Sequence, residues 1–243
     1  MAESNIIDGK AFAARLRARV AVAAKKIHAA HGLTPGLAVV LVGEDPGSVI
    51  YTRNKAKAAA KCGMYDVLHK LPDDTPEADV LALVDELNND DRVHGILVQL
   101  PLPGQIDAHR VIAAIAPEKD ADGFHPVNVG RLHIGLPAPI ACTPRGIMTL
   151  LDRYEIDPKG MDAVILGRSN IVGKPMATLL TARHATVTVC HTPTADHPGH
   201  RRRADLLVAA IGRTEMITGD MVKDGVVAID VGINRKEDGT LAG

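Results

Sequence analysis

The sequence predicts an α/β protein of two domains, each built on a mainly parallel sheet flanked by helices. Three observations lead there. Short apolar runs rich in valine and isoleucine, such as "GLAVVLVG" (36–43), "HGILVQL" (94–100) and the start of "DAVILGRSN" (162–170), are too brief for core helices and read as strands buried on both faces. Stretches with apolar residues three and four apart alternate with them, the strand–helix rhythm of parallel sheets. A long proline-rich segment, 101–146, separates two such series, giving domains 1–141 and 142–243 with a cleft between them.

The elements follow in order. Asp8 caps a helix reaching about His31, with Phe12, Leu16, Val20, Ala23 and Ile27 as its inward stripe. After the strand at 36–43 and the turn-like "GEDPGS", a helix runs from about Ser48 to Lys61, then a strand lies near 65–70. "TPEADVLALVDELNND" (75–90) takes Thr75 as cap and Pro76 as first helical residue. The strand at 94–100 closes the first series, and the proline-rich segment is irregular around one short helix. From Thr143 the helix "PRGIMTLLDRYEI" leads to strands at 162–167, 186–190, 205–211 and 226–231.

Composition narrows the function. Lys plus Arg is 28 against Asp plus Glu 29, so the basic field that nucleic acid requires is missing. Cys62, Cys142 and Cys190 are far apart and form neither a zinc spacing nor a disulfide framework. The opening "MAESNIIDGK" has no apolar signal region, and no apolar run is long enough to span a bilayer, so a cytoplasmic protein is expected. The histidines at 125, 133 and 191 show no metal spacing, and no metal is expected.

"DAVILGRSNIVGKPMATLL" reads as strand, glycine turn, helix. Gly167 allows a tight turn, Gly173 a close backbone approach, and the following helix aims its N–H groups at the loop, where phosphate is the natural guest. The second domain is therefore Rossmann-like and dinucleotide-binding. Its spacing is G-x-x-x-x-x-G rather than the G-x-G-x-x-G fingerprint, and a purely structural glycine turn is the competing reading. The next strand ends Cys190-His191-Thr192, with no carboxylate before Asp196. An acid there would repel a 2′-phosphate, whereas Arg168 and Thr192 can bind one, so NADP is expected. The run "HRRR" (200–203) either adds to that field or is a solvated helix face.

"SVIYTRNK" (48–55) places Tyr51 one helical turn before Lys55 in a chain whose aromatic content is only 2%. Together with "VGEDPGSVIYTRNKAKAAAKCG", "GILVQLPLP", "PEKDADGFHPVNVGRL", "ACTPRGIMTLL" and "GRSNIVGKP", in that order along nearly the whole chain, it resembles the bifunctional methylenetetrahydrofolate dehydrogenase/methenyltetrahydrofolate cyclohydrolases. The resemblance implies a folate in the cleft, NADP, and a homodimer. It implies that Tyr51 stacks on the folate ring, that Lys55 is the central catalytic residue, and that Gln99 positions Lys55. By the same resemblance Asp122 binds the polar edge of the pterin, Ser48 supports the site, and Gly167, Arg168, Ser169, Gly173 and Thr192 surround the dinucleotide.

The chemistry independently suits such residues. Hydride transfer needs two rings held face to face, whereas hydrolysis of a cationic methenyl bridge needs a group that exchanges protons. An amide can orient an amine without adding charge, and a carboxylate can accept paired hydrogen bonds from an amino-pyrimidinone edge. Taken singly, Gln99 is also a satisfied strand-end amide and Asp122, before Gly123, a turn residue. "YTRNK" also fits the Tyr-x-x-x-Lys of short-chain dehydrogenases, but there the glycine loop precedes the tyrosine, the reverse of this order. A folate- or nucleotide-binding protein without turnover and a dehydrogenase without cyclohydrolase activity are the alternatives. The family pattern continues beyond "INRKEDGTLAG" into a glycine- and proline-rich loop and a final helix that help close the folate site, so activity and stability of this chain are expected to reflect that difference.

Overall fold

The structure is a computed structural model and describes residues 6–212, 216–232, 234–235 and 241–242. The chain divides into two compact units, Met1–Asn128 and Val129–Gly243.

In the first unit, α1 (Gly9–His31) precedes β1 (Gly36–Val42), α2 (Pro46–Lys61), β2 (Tyr65–Leu71), α3 (Glu77–Asn89), β3 (Gly95–Val98) and α4 (Ala108–Ala114). The sheet is parallel in the order β2-β1-β3, with Gly36 opposite Tyr65 and Leu37 opposite Gly95. Central β1 is covered on both faces. Ala38, Val40 and Val42 pack with Val80, Val84 and Leu87 of α3 and with Val111 of α4, while Val39 and Leu41 are buried on the other side. Asp8 caps α1 by accepting from Ala11 N at 2.9 Å, as expected.

The expected inward stripe of α1 does not pack within the chain: Ala24 is the buried residue of the helix, and Leu16, Val20 and Ile27 are exposed. The cap of α3 also differs. The Thr75 hydroxyl donates to the Pro72 carbonyl at 2.7 Å, and Pro76 occupies the cap position with no side-chain bond. A hydroxyl next to a turn carbonyl finds a nearer partner there than in the helix N–H groups. The proline-rich segment holds two short helices rather than one, α4 and α5 (Pro126–His133).

The second unit contains α6 (Cys142–Arg153), β4 (Asp162–Leu166), α7 (Gly173–Ala182), β5 (Thr186–Cys190), α8 (His197–Arg203), β6 (Leu206–Ala209) and β7 (Val227–Asp230). Its four strands are parallel in the order β5-β4-β6-β7. One face packs Ala163, Ile165, Leu206 and Val208 against α6 and α7, and the other packs Val164, Leu166, Cys190 and Leu207 with Ala204 beside α8. An antiparallel pair, β8 (Asn234–Arg235) and β9 (Leu241–Ala242), follows. In both sheets the chain leaves a central strand to one side and returns on the other. Crevices at the carboxyl ends of β1/β3 and of β4/β6 are the places where such sheets hold ligands. Among the described residues no helix is long and apolar enough to cross a membrane.

Candidate active site

The first of these crevices gathers the expected catalytic residues. Asp45 begins α2 by accepting from Ser48 N at 2.8 Å, which fixes the helix directly after the β1 turn and holds the Asp45 carboxyl below its ordinary range. One turn on, Tyr51 lies 45% exposed, and Lys55 is one turn further. Lys55 Nζ donates to Gln99 Oε1 at 3.1 Å. Gln99 is the first residue beyond β3, and its backbone N–H donates to Val40 O at 2.9 Å, so it is fixed by the ladder to the central strand. Its amide Nε2 donates to the Leu100 carbonyl at 2.7 Å, and Ser48 Oγ donates to the same carbonyl at 3.4 Å. The Gln99 oxygen is thereby turned toward the lysine, and Ser48, 3% exposed, acts on the Gln99–Leu100 segment from inside the fold.

Asp122 is partly buried, and burial pushes its carboxyl up to about 6. The Lys55 charge opposes that rise and the Asp120 charge adds to it, so both lie within electrostatic reach. The crevice thus brings together Tyr51, Lys55, Gln99, Ser48 and Asp122.

Asp120 is the residue that sequence reasoning missed. It is 3% exposed, and its carboxylate accepts from Gly123 N at 3.0 Å, His125 N at 2.8 Å and Asn128 Nδ2 at 2.9 Å. The signal lay in "KDADGFHP", which contains two acids two residues apart.

The second crevice holds the glycine loop. Gly167 has φ +115, and a Cβ there would stand 2.4 Å from the Ala210 carbonyl oxygen. At Gly173 a Cβ would stand 2.2 Å from the Gly167 oxygen. Neither position admits a side chain, so the loop folds tightly back on the start of α7. Ser169 Oγ accepts from Val172 N at 3.2 Å and Gly173 N at 3.4 Å, and Lys174 N donates to Ser169 O at 3.0 Å. Arg168 is exposed, and its guanidinium makes no hydrogen bond or ion pair with another described residue. Thr192 is exposed beyond β5, while Asp196, the next carboxylate, is committed to capping α8 through Gly199 N at 3.0 Å. In the run "HRRR", Arg202 and Arg203 are solvated but Arg201 is only 7% exposed. A tight backbone cradle at the start of α7, with an exposed guanidinium beside it, suits the phosphates of a dinucleotide.

The model for the family described as Tetrahydrofolate dehydrogenase/cyclohydrolase, catalytic domain, matches residues 7–122, and that for its NAD(P)-binding domain matches residues 141–243. The chain belongs to the tetrahydrofolate dehydrogenase/cyclohydrolase family. This tetrahydrofolate dehydrogenase/cyclohydrolase is 55% identical over 240 residues to the bifunctional protein FolD of Moorella thermoacetica, covering 99% of this chain and 85% of that one. It superposes with a TM-score of 0.95 on the crystal structure of the bifunctional enzyme FolD from Campylobacter jejuni, 47% identical, covering 97% of this chain and 83% of that one. The Trypanosoma brucei methylenetetrahydrofolate dehydrogenase-cyclohydrolase, complexed with NADP and an inhibitor, gives a TM-score of 0.94 at 37% identity over 100% of this chain and 86% of that one. The chain is a bifunctional methylenetetrahydrofolate dehydrogenase and methenyltetrahydrofolate cyclohydrolase whose second domain is of the NAD(P)-binding kind.

Proposed function

We propose that the chain oxidises 5,10-methylenetetrahydrofolate to 5,10-methenyltetrahydrofolate with NADP and hydrolyses the product to 10-formyltetrahydrofolate, using residues of the first crevice for both steps. The observation that carries this reading is the Lys55–Gln99 hydrogen bond of 3.1 Å beside Tyr51 and an Asp122 carboxyl pushed up to about 6.

Tyr51 is the stacking platform that holds the reduced pterin flat. Asp122 meets the amino-pyrimidinone edge, accepting paired hydrogen bonds when ionised. NADP, when bound, supplies the hydride acceptor. In the second step water adds to the cationic methenyl carbon, one carbon–nitrogen bond opens, and one proton is released. Lys55 Nζ, with one N–H directed to Gln99, passes the protons between water, ring nitrogen and solvent. Gln99 keeps the amine aimed without adding charge, and Ser48 steadies the Gln99–Leu100 turn.

In the second domain Gly167, Ser169 and Gly173 cradle the pyrophosphate, and Arg168 with Thr192 receives the 2′-phosphate. Arg168, with no partner among the described residues, and the capping role of Asp196 support NADP over NAD. A functional boundary between residues 141 and 142, rather than at the Asn128/Val129 division of the compact units, is supported by α6, which begins at Cys142 and packs Ile147, Met148 and Leu151 into the second core. The thiols of Cys62 and Cys190, both buried and in no disulfide among the described residues, suit a reducing, cytoplasmic compartment. The exposed Leu16, Val20 and Ile27 of α1 suit burial against a second copy in a homodimer.

Lys55→Met tests the assignment. Methionine keeps similar bulk but exchanges no proton, so hydrolysis should fall by about 10²- to 10⁴-fold while part of the dehydrogenase activity survives. Methenyltetrahydrofolate should then accumulate in absorbance assays with methylenetetrahydrofolate and NADP. Equal, above-spontaneous hydrolysis by parent and variant overturns the role of Lys55.

A further inference from the structure

We propose that Asp120 is a positioning residue of the folate site, fixing the 120–125 turn so that Asp122 faces Lys55 and exerting its own charge on Asp122. The inference rests on the folate-site reading above.

The geometry is that of a hub. One carboxylate oxygen takes Gly123 N, and the other takes both His125 N and Asn128 Nδ2. Asn128 is fully buried, and its Nδ2 also donates to Pro117 O at 2.7 Å. Both amide protons are therefore used, and a flipped amide would set its oxygen against the carboxylate. The hub is tied to the strand that carries Gln99: Ile96 N donates to Lys119 O at 2.6 Å, and Ala121 N donates to Ile96 O at 3.2 Å. Lys119 Nζ in turn donates to the carbonyls of Leu87, Asn88 and Asp90 at the end of α3. Residue 122 thus projects from a segment held on both sides.

A buried carboxylate normally has a cation or several N–H groups as partners. Asp120 has only N–H groups among the described residues, so its charge is stabilised without being cancelled. That charge helps hold the Asp122 carboxyl up at about 6, behind the larger effect of burial and against Lys55.

The test is calorimetric titration of the full chain with tetrahydrofolate from pH 5 to 8. Ionised Asp122 is the better acceptor, so wild-type affinity should fall below a midpoint near 6. Asp120→Asn keeps the shape but turns one acceptor into a donor facing an N–H. Affinity at pH 8 should drop roughly tenfold or more, the scale of one unsatisfied buried polar group. The midpoint should move to lower pH, because the charge opposing ionisation is gone. Asn128→Ala removes one donor and keeps the charge, so affinity should drop without that shift.

Wild-type affinity in both variants, or an Asp120→Asn loss with an unmoved midpoint, overturns the proposal. Should Asp120→Asn fail to fold, Asn128→Ala decides, and unchanged affinity there overturns it. Asp122→Asn separates this failure from that of the underlying reading. If Asp122→Asn also binds as wild type, the folate-site assignment is wrong. If it alone loses affinity, only the role of Asp120 is.

Discussion

Asp122 is a carboxyl whose surroundings resist its ionisation. Its folded value of about 6 stands above the ordinary 3.8, mainly through burial. Between those values the folded chain binds more protons than the unfolded one, so this residue's contribution to stability falls as pH rises through that window. Fully ionised, it costs the fold up to about 3 kcal/mol. Asp122→Asn should therefore be little changed in urea stability near pH 4 and more stable than the parent by about 1–3 kcal/mol at pH 7.5. The same variant should bind folate less well at pH 7.5, and an equal stability difference at both pH values would contradict the assignment. Tyr51 and Lys55 were legible in the sequence because a spacing of four on a helix is local geometry. The partnership of Lys55 with Gln99 was legible only through the family resemblance, since two residues so far apart in sequence meet because β1 and β3 are neighbours. Asp120, one of the two acids visible in "KDADGFHP", was passed over for another reason. In sequence, a buried acid satisfied by three N–H groups looks the same as a turn aspartate.

Elements were legible where their cause is local. The strand runs and the Asp8 cap follow from apolar continuity and a side-chain oxygen in the right place. The inward face of α1 was not, because the apolar stripe and the packed face do not coincide there: Ala24 is buried while Leu16 and Val20 are exposed. The glycine loop belongs to the legible class, and its demands are now specific. Gly173→Ala would drive a methyl into the Gly167 carbonyl at 2.2 Å and to 2.9 Å from the Arg168 Cα. Both neighbours are backbone, so the loop itself must move, at a cost of about 1–3 kcal/mol or more. The expected result is loss of NADP binding by calorimetry with tetrahydrofolate binding retained. Normal NADP affinity in Gly173→Ala would remove this loop from the cofactor site.

At the scale of the whole molecule each unit has its own apolar core, one around Val40, Val84 and Ile96 and the other around Ile165, Leu180 and Leu206. The exposed Leu16, Val20 and Ile27 share a helix face, since they are spaced by four and then seven residues. Sedimentation should accordingly give a species of twice the 25.7 kDa chain mass, and Leu16→Glu combined with Val20→Glu should shift it toward the single chain. A parent that sediments as a single chain at micromolar concentration would rule out the homodimer.

The order of the strands also bears on how the chain is made. Four of the five ladders in the two main sheets join strands separated by at least one α-helix: Gly36 waits for Tyr65, Leu37 for Gly95, Asp162 for Thr186 and Ala163 for Leu206. Pairing of this kind requires large loops to close first, which is slow compared with helix or hairpin formation. During synthesis "GLAVVLV" emerges from the ribosome with both edges unpaired and gains its second neighbour only once the segment ending at Val98 has followed. The most buried strand of the first unit is therefore the one that stays adhesive longest as the chain emerges.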